Sequence, residues 1–553
     1  MRRDPRLLAV VVLVVVAAAT IWAQLSQPEA VKAVVAKPQP VPITEQTLVC
    51  PQAGGTPSAG AAHIAYADAD TDPASAANST LTATPLDPDG VPSPIDVKPG
   101  HAWNVDGPKT VGPMRLSVTG PLARTVSAVQ FTRQTISGSL QVSNAPCEAP
   151  TTDAWFAGFS SGVGAHATLL LSNVDSVPAT VDIGIFGDSA PPNPNAEHGL
   201  VVAPQTQAAV QLDSLTPGFA NAVVHVSASS GRVVPAVRYD AENGSIPLGV
   251  EWIPRTEAPA LEQTVPGILD GDGTRRLVLA APGELDATVS LKLVTADGSF
   301  TPTGFDDVNV PAGGVTSVDL APGLQKDAAA VVVTSTEPVV VAAVSSLPPD
   351  KAGGTDVGFT AAVPALTGPA VVAGGETGAD RHTRLLLSAP DDDAQLTLTL
   401  LPSSASSSPL VSPLTVPGGT TLTLDLASLS NDPSPAIELN PERGGPVYAA
   451  WTLQEVGKTS TDLTSFPVRN PVSSLERPPV KSDLVAGLPG YPAPPAPSSP
   501  SLPAPVPSAP ASSPDDVFPS DSFPAGPDPG SPGSPESAQP PQPSSESSSQ
   551  PSP

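Results

Sequence analysis

Residues Gly158 to Gly162, GFSSG, spell G-x-S-x-G, a pattern that in one hydrolase class lifts a nucleophilic serine onto a sharp turn between a strand and a helix. The chemistry would be acyl transfer, with Ser160 attacking, His166 as base and Asp153 or Asp175 orienting the imidazole. The context argues otherwise. After the turn comes VGAHATLLLSNV, which reads as a strand, whereas the elbow needs a helix whose N-terminus helps to form the oxyanion hole. A Gly-Ser turn behind the core pair Trp155 and Phe156 accounts for the same residues, so a serine esterase using Ser160 is the remote alternative.

Asp68-Ala69-Asp70-Thr71-Asp72 copies the first half of a calcium loop, with carboxylates at positions 1, 3 and 5. The required glycine at position 6 is Pro73 and the glutamate at position 12 is Ser79, so a solvated acidic loop is expected. The histidines, His63, His101, His166, His198, His225 and His382, show no H-x-H or H-E-x-x-H spacing and no cysteine partner, which gives a zinc site no support. Trp103, Trp155, Trp252 and Trp451 are spaced about one per unit, as core residues would be, not gathered into a sugar-stacking groove. No catalytic, cofactor-binding or metal-ligating residue is therefore assigned, no cofactor is expected, and the chain is read as not an enzyme.

Cys50 and Cys147 are the only cysteines, without metal-ligand spacing. In an exported chain such a pair points to one disulfide, and two buried free thiols are the alternative.

The elements that position these residues follow from composition and pattern. With 73 prolines, 45 glycines and 4% aromatic residues, the 553-residue chain is poor for long helices and suits short strands joined by turns. A net charge of -28 repels phosphate backbones, which excludes nucleic-acid binding. Internal repetition is the strongest signal. Leu169, Leu277 and Leu385 recur every 108 residues, each in a short apolar strand, and Pro204, Pro311 and Pro417 precede Asp213, Asp319 and Asp425 at matching places. Alternation of period two, as at Val289, Leu291 and Leu293 or Leu396, Leu398 and Leu400, marks strands with one buried face. The expected fold is all-β: tandem immunoglobulin- or fibronectin-like sandwiches at residues 151–262, 263–368 and 369–476, after a divergent β domain at 47–150 that the disulfide staples.

The ends give a location. Arg2, Arg3 and Arg6 precede an apolar run from Leu7 to Ala23, and residues 1–26 are read as a signal anchor, a single transmembrane helix with the rest extracytoplasmic. Secretion after signal cleavage is the alternative. Residues 27–46 read as a Pro-rich linker, and residues 477–553 as a disordered Pro/Ser-rich tail that from Leu488 onward carries no Lys, Arg or His.

The basic N-terminus, the apolar run, TLVCP at Thr47 to Pro51, APCEAP around Cys147, AWFAGF from Ala154 and the Val-rich repeats together resemble an uncharacterised family of membrane-anchored, extracytoplasmic actinobacterial proteins. The resemblance implies no catalytic residues, and an association with envelope polysaccharide assembly. The functional expectation is a non-enzymatic cell-envelope scaffold or interaction protein, whose partner is an envelope protein or cell-wall polysaccharide; the alternative is a glycan-binding module.

Overall fold

Side-chain alternation settles the strands. In Ala287–Thr295 the buried residues Ala287, Val289, Leu291 and Leu293 alternate with Thr288, Ser290 and Lys292, so one face enters a core. The computed structural model describes residues 39–52, 62–106, 112–136, 139–188, 193–351, 353–457 and 460–477, together with Ala17, Ala18 and Trp22. Apart from those last three, the apolar N-terminal run lies outside the described residues, as does the Pro/Ser-rich tail from 478. Among the described residues no helix is long and apolar enough to cross a membrane.

The described chain is all-β and forms four two-sheet units. The first pairs a sheet of Glu45–Cys50, Met114–Thr119, Thr80–Pro85 and Ser93–Ile95 with one of Ala102–Asp106, Ala62–Asp68, Val126–Ile136 and Ser139–Pro146. The second repeats this order with Asp153–Phe159, Ala222–Ser230, Ala179–Gly187 and Asn193–Val202 in one sheet. Its other sheet holds Thr206–Gln211, Ala165–Asn173, Val234–Asn243 and Ile246–Ile253. The fourth does so again between Ala370–Val372 and Thr461–Pro467. In the third, the 18-residue strand Ala329–Ser346 serves both sheets. Its first half pairs with Ala260–Ile268 and Ala287–Thr295, and its second half with Arg275–Ala280 and Val357–Ala361. The first unit, divergent in sequence, has the strand order of the others.

In every unit the last strand stands at a sheet edge. These four edge strands are Ser139–Pro146, Ile246–Ile253, Val357–Ala361 and Thr461–Pro467. Each touches the next, and the fourth touches the first, so the units close into a ring around a common axis. All described strands fall within one compact unit, Met1–Val480.

Buried apolar clusters run across the joints between units. One buried cluster joins the second unit's Phe159 and Ile183 to the third unit's Val340 and Phe359, and another joins Val129 and Phe131 of the first to Leu385 and Trp451 of the fourth. Glycine makes the approach close enough. Gly267, at φ +83°, would place a Cβ 2.4 Å from Ala450 of the fourth unit, and Gly374, at φ +85°, one 2.4 Å from the Phe131 ring of the first. Gly158 stands in the same relation to Val344 of the third. These positions lie about one repeat apart and each faces the next unit round the ring. Any side chain there would both strain the backbone and push two units apart.

The ring is clasped by the chain's ends. Gln39–Pro42, from the stretch read as a linker, pairs antiparallel with Ser474–Arg477, and the Ile43 N–H donates to the Ser473 carbonyl at 3.1 Å. Pro40 and Pro42 donate nothing, which a two-stranded ribbon with free outer edges tolerates.

Candidate functional site

The residues singled out by sequence go to separate places. Ser160 Oγ donates to the Phe219 carbonyl at 3.1 Å and accepts the Gly162 N–H at 3.1 Å, bracing the turn before strand Ala165–Asn173. His166 pairs with Asp213 at 3.3 Å, Asp153 with His225 at 2.7 Å and Asp175 with Arg232 at 2.9 Å. The structure thus assembles no Ser160–His166–Asp relay.

The acidic run Asp68 to Asp72 is a chain of local turns, in which Asp70 N–H donates to Asp68 Oδ1 and Asp72 N–H to Asp70 Oδ1, before Asp72 caps the short helix Pro73–Ala77. It is not wholly solvated. Asp68 is buried and accepts from Thr125 Oγ1 at 2.7 Å, and burial lifts its carboxyl to about 6. The four tryptophans Trp103, Trp155, Trp252 and Trp451 are all buried, and no stacking platform for sugars is formed by them. Cys50 and Cys147 are bonded, joining the end of one sheet's edge strand to the residue after the other sheet's last strand. Among the described residues no three His, Cys, Asp or Glu side chains gather as a metal ion requires.

What the fold does concentrate is polarity at the ring axis. Counting along each unit's last strand from its cross-strand partners puts Gly249, Asp356 and Asp462 at one equivalent position, and Glu251 at the place of Gly358 and Thr464. Glu251 is 0% exposed, and Asp356 and Asp462 are each 1% exposed. Glu251 Oε1 accepts the Trp252 N–H at 2.8 Å, and Asp356 Oδ2 accepts the Leu463 N–H at 2.7 Å. Glu251 Oε2, Asp356 Oδ1 and both oxygens of Asp462 lack a well-aligned hydrogen bond, although the Thr464 hydroxyl and the Asn144 N–H approach Glu251 and the Val250 and Val357 N–H groups approach Asp356; the side-chain amide of Asn144, 1% exposed in the first unit's last strand, is likewise unpaired.

Burial pushes the Glu251 and Asp356 carboxyls well above the usual range, with Asp356 adding to the first and Asp462 to the second. Burial, and then the field of Glu455, pushes Asp462 up to about 7. Among the described residues no cation pairs with these three acids. The arginines beside Glu455 are Arg133, which pairs with it at 2.8 Å and also with Glu376, and Arg381, which lies within 4 Å of the same two carboxylates.

Clefts lie on the strands that surround the axis. One of about 220 Å³ sits among the first, second and fourth units, walled by Phe156, Trp252 and Phe466, with Asn144 and Arg255 supplying polarity. Another of about 600 Å³ opens between the third and fourth units, where Thr355 and Thr461, the neighbours of Asp356 and Asp462, meet Asp270 and Arg384.

The molecule is therefore an all-β protein of four two-sheet units closed about a polar axis. Residues 107–427 match the family of unknown function DUF5719, and since that stretch is more than half of the chain, the protein belongs to this family. No curated protein and no solved structure matches it.

Proposed function

We propose that the protein is a non-enzymatic scaffold of the cell envelope, held outside the cytoplasmic membrane by its N-terminal apolar run, with the closed ring as its rigid docking body. The observation that carries this reading is the clasp. Strands Gln39–Pro42 and Ser474–Arg477 are paired, so the segment leading from the apolar run and the segment leading to the Pro/Ser-rich tail leave the ring side by side. A body tied at one point presents the rest of its surface to partners. The disulfide suits an oxidising, extracytoplasmic setting. The two-sheet units read as immunoglobulin-like sandwiches, a type whose edge strands and end loops commonly serve recognition rather than chemistry.

Cross-linking the full-length protein in intact native cells, followed by mass spectrometry, tests the reading. Capture of one envelope protein through a defined unit supports it. Capture of wall glycan alone replaces it with the polysaccharide-binding alternative.

A further inference from the structure

The three axis acids come from three different units. Glu251 lies in the last strand of the second, Asp356 immediately before that of the third, and Asp462 in that of the fourth. All three are buried at the seam where the units touch; neither oxygen of Asp462 has a protein donor, and Glu251 and Asp356, approached by the Thr464 hydroxyl and the Asn144 N–H and by the Val250 and Val357 N–H groups respectively, each keep one oxygen without a well-aligned hydrogen bond. An ionised carboxylate in such a place loses its hydration without recovering it, which is costly enough that the group holds its proton instead. The Thr464 hydroxyl and the Asn144 backbone N–H face Glu251 as donors and favour its ionised form, but burial outweighs them.

We propose that closure of the ring is proton-dependent: Glu251, Asp356 and Asp462 weld the second, third and fourth units together as neutral acids, and their ionisation loosens the axis. The surroundings favour this. Facing Glu251 are Asp356 from the third unit, Thr464 from the fourth and the backbone of Asn144 from the first, with Tyr239 opposite it on its own sheet. Facing Asp462 are Asp356 and, directly across the strand pair, Glu455, whose own charge is met by Arg133 and Arg381. The cleft beside Thr355 and Thr461 brings solvent near enough to exchange the protons; its charged walls are Asp270, Asp272, Asp350 and Arg384, of which Asp270 and Arg384 pair at 2.9 Å.

The sign follows from linkage. Each group binds its proton more tightly folded than unfolded, so unfolding releases protons and stability falls as pH rises, from about 4 upward to about 7 for Asp462. The same ionisation would loosen the seam before the sheets themselves unfold.

The test compares thermal melting of the full-length protein from pH 5 to pH 8.5 with that of Asp462→Asn, Glu251→Gln and the exposed-turn control Asp297→Asn. The expected result is that Asp462→Asn and Glu251→Gln gain about 2 °C or more on the wild type between the lowest and highest pH, while the control keeps the wild-type slope. Should one axis variant fail to fold, calorimetry of the wild type and of the other variant in buffers of different ionisation enthalpy counts protons directly, and near pH 6 the wild type should release more protons on unfolding than the variant, Asp68 contributing equally to both. Amide exchange, corrected for intrinsic rate, should be faster in Thr461–Pro467 and Ile246–Ile253 at pH 8 than at pH 6. Unchanged slopes in both axis variants, equal proton release from wild type and variant, or equal protection at the two pH values would overturn the proposal.

Discussion

Gln39, the first residue of the first described strand after the N-terminal run, is the register partner of Arg477, the last residue of the last described strand. The ring is thus locked by pairing residues that are 438 positions apart in sequence, the widest separation among the described strand pairs. Removing residues 474–553 should cost more than removing 481–553, by about 2 to 3 kcal/mol, since a few main-chain hydrogen bonds worth about 1 kcal/mol each disappear. Chemical denaturation of the two truncated forms checks this. Equal midpoints would mean that the clasp is ornamental and that side-chain packing alone closes the ring.

Gly374 faces Phe131 across the joint between the fourth and first units. Gly374→Ala should destabilise the protein by about 2 kcal/mol or more, because the added methyl meets the ring at 2.4 Å and the backbone is left at a φ that alanine avoids. Phe131→Leu in the same molecule should recover part of the loss. Melting temperatures of the single and double variants decide whether the strain is local to this contact.

The strands and their repetition were legible in sequence because period-two alternation and a 108-residue recurrence need no long-range information. The ring was not. Gly158, Gly267 and Gly374 recur at repeat spacing, yet a lone glycine near a strand end reads as a turn, and only the neighbouring unit's Val344, Ala450 or Phe131 reveals why it is there. Asp356 and Asp462 were missed for a related reason. An acid at the start of a strand is ordinarily a solvent-facing residue, and nothing local to DVGF or TDL says that neighbouring units will cover it. Ser160 shows the converse: its motif was conspicuous, its context was a strand, and its hydroxyl serves a turn.

The Cys50–Cys147 bond closes a loop of 97 residues within the first unit. Reduction, or replacement of both cysteines by serine, should lower stability by about 4 to 5 kcal/mol in the chain-entropy account. Because the first unit packs on the second and fourth, the loss should lower the melting temperature of the whole ring rather than produce a separate early transition. Calorimetry with and without reductant distinguishes the two. A separate early transition would mean that the first unit melts independently.

Ser160→Ala should leave the folded protein intact at a cost of about 1 to 2 kcal/mol, the worth of the hydrogen bonds to Phe219 and Gly162. A fluorophosphonate probe is expected to label neither form. Labelling of the wild type that vanishes in Ser160→Ala would establish a serine hydrolase and displace the scaffold reading.

Arg133 reaches from the first unit to Glu376 and Glu455 of the fourth, where both carboxylates are buried and Arg381, half exposed, is the other cation within 4 Å of them. Burial works against the charge of Arg133, but the fields of Glu376 and Glu455 outweigh it and hold the guanidinium protonated. Arg133→Met keeps most of the aliphatic packing while stranding two carboxylates, so it should cost about 2 to 4 kcal/mol near neutral pH, somewhat less than a fully isolated pair because Arg381 remains. Adding Glu376→Gln to Arg133→Met should restore part of the loss, because one of the two stranded carboxylates is then gone. Urea midpoints of the single and double variants test the argument, and a double variant no more stable than Arg133→Met would show that Arg133 acts at this joint by packing and not by charge.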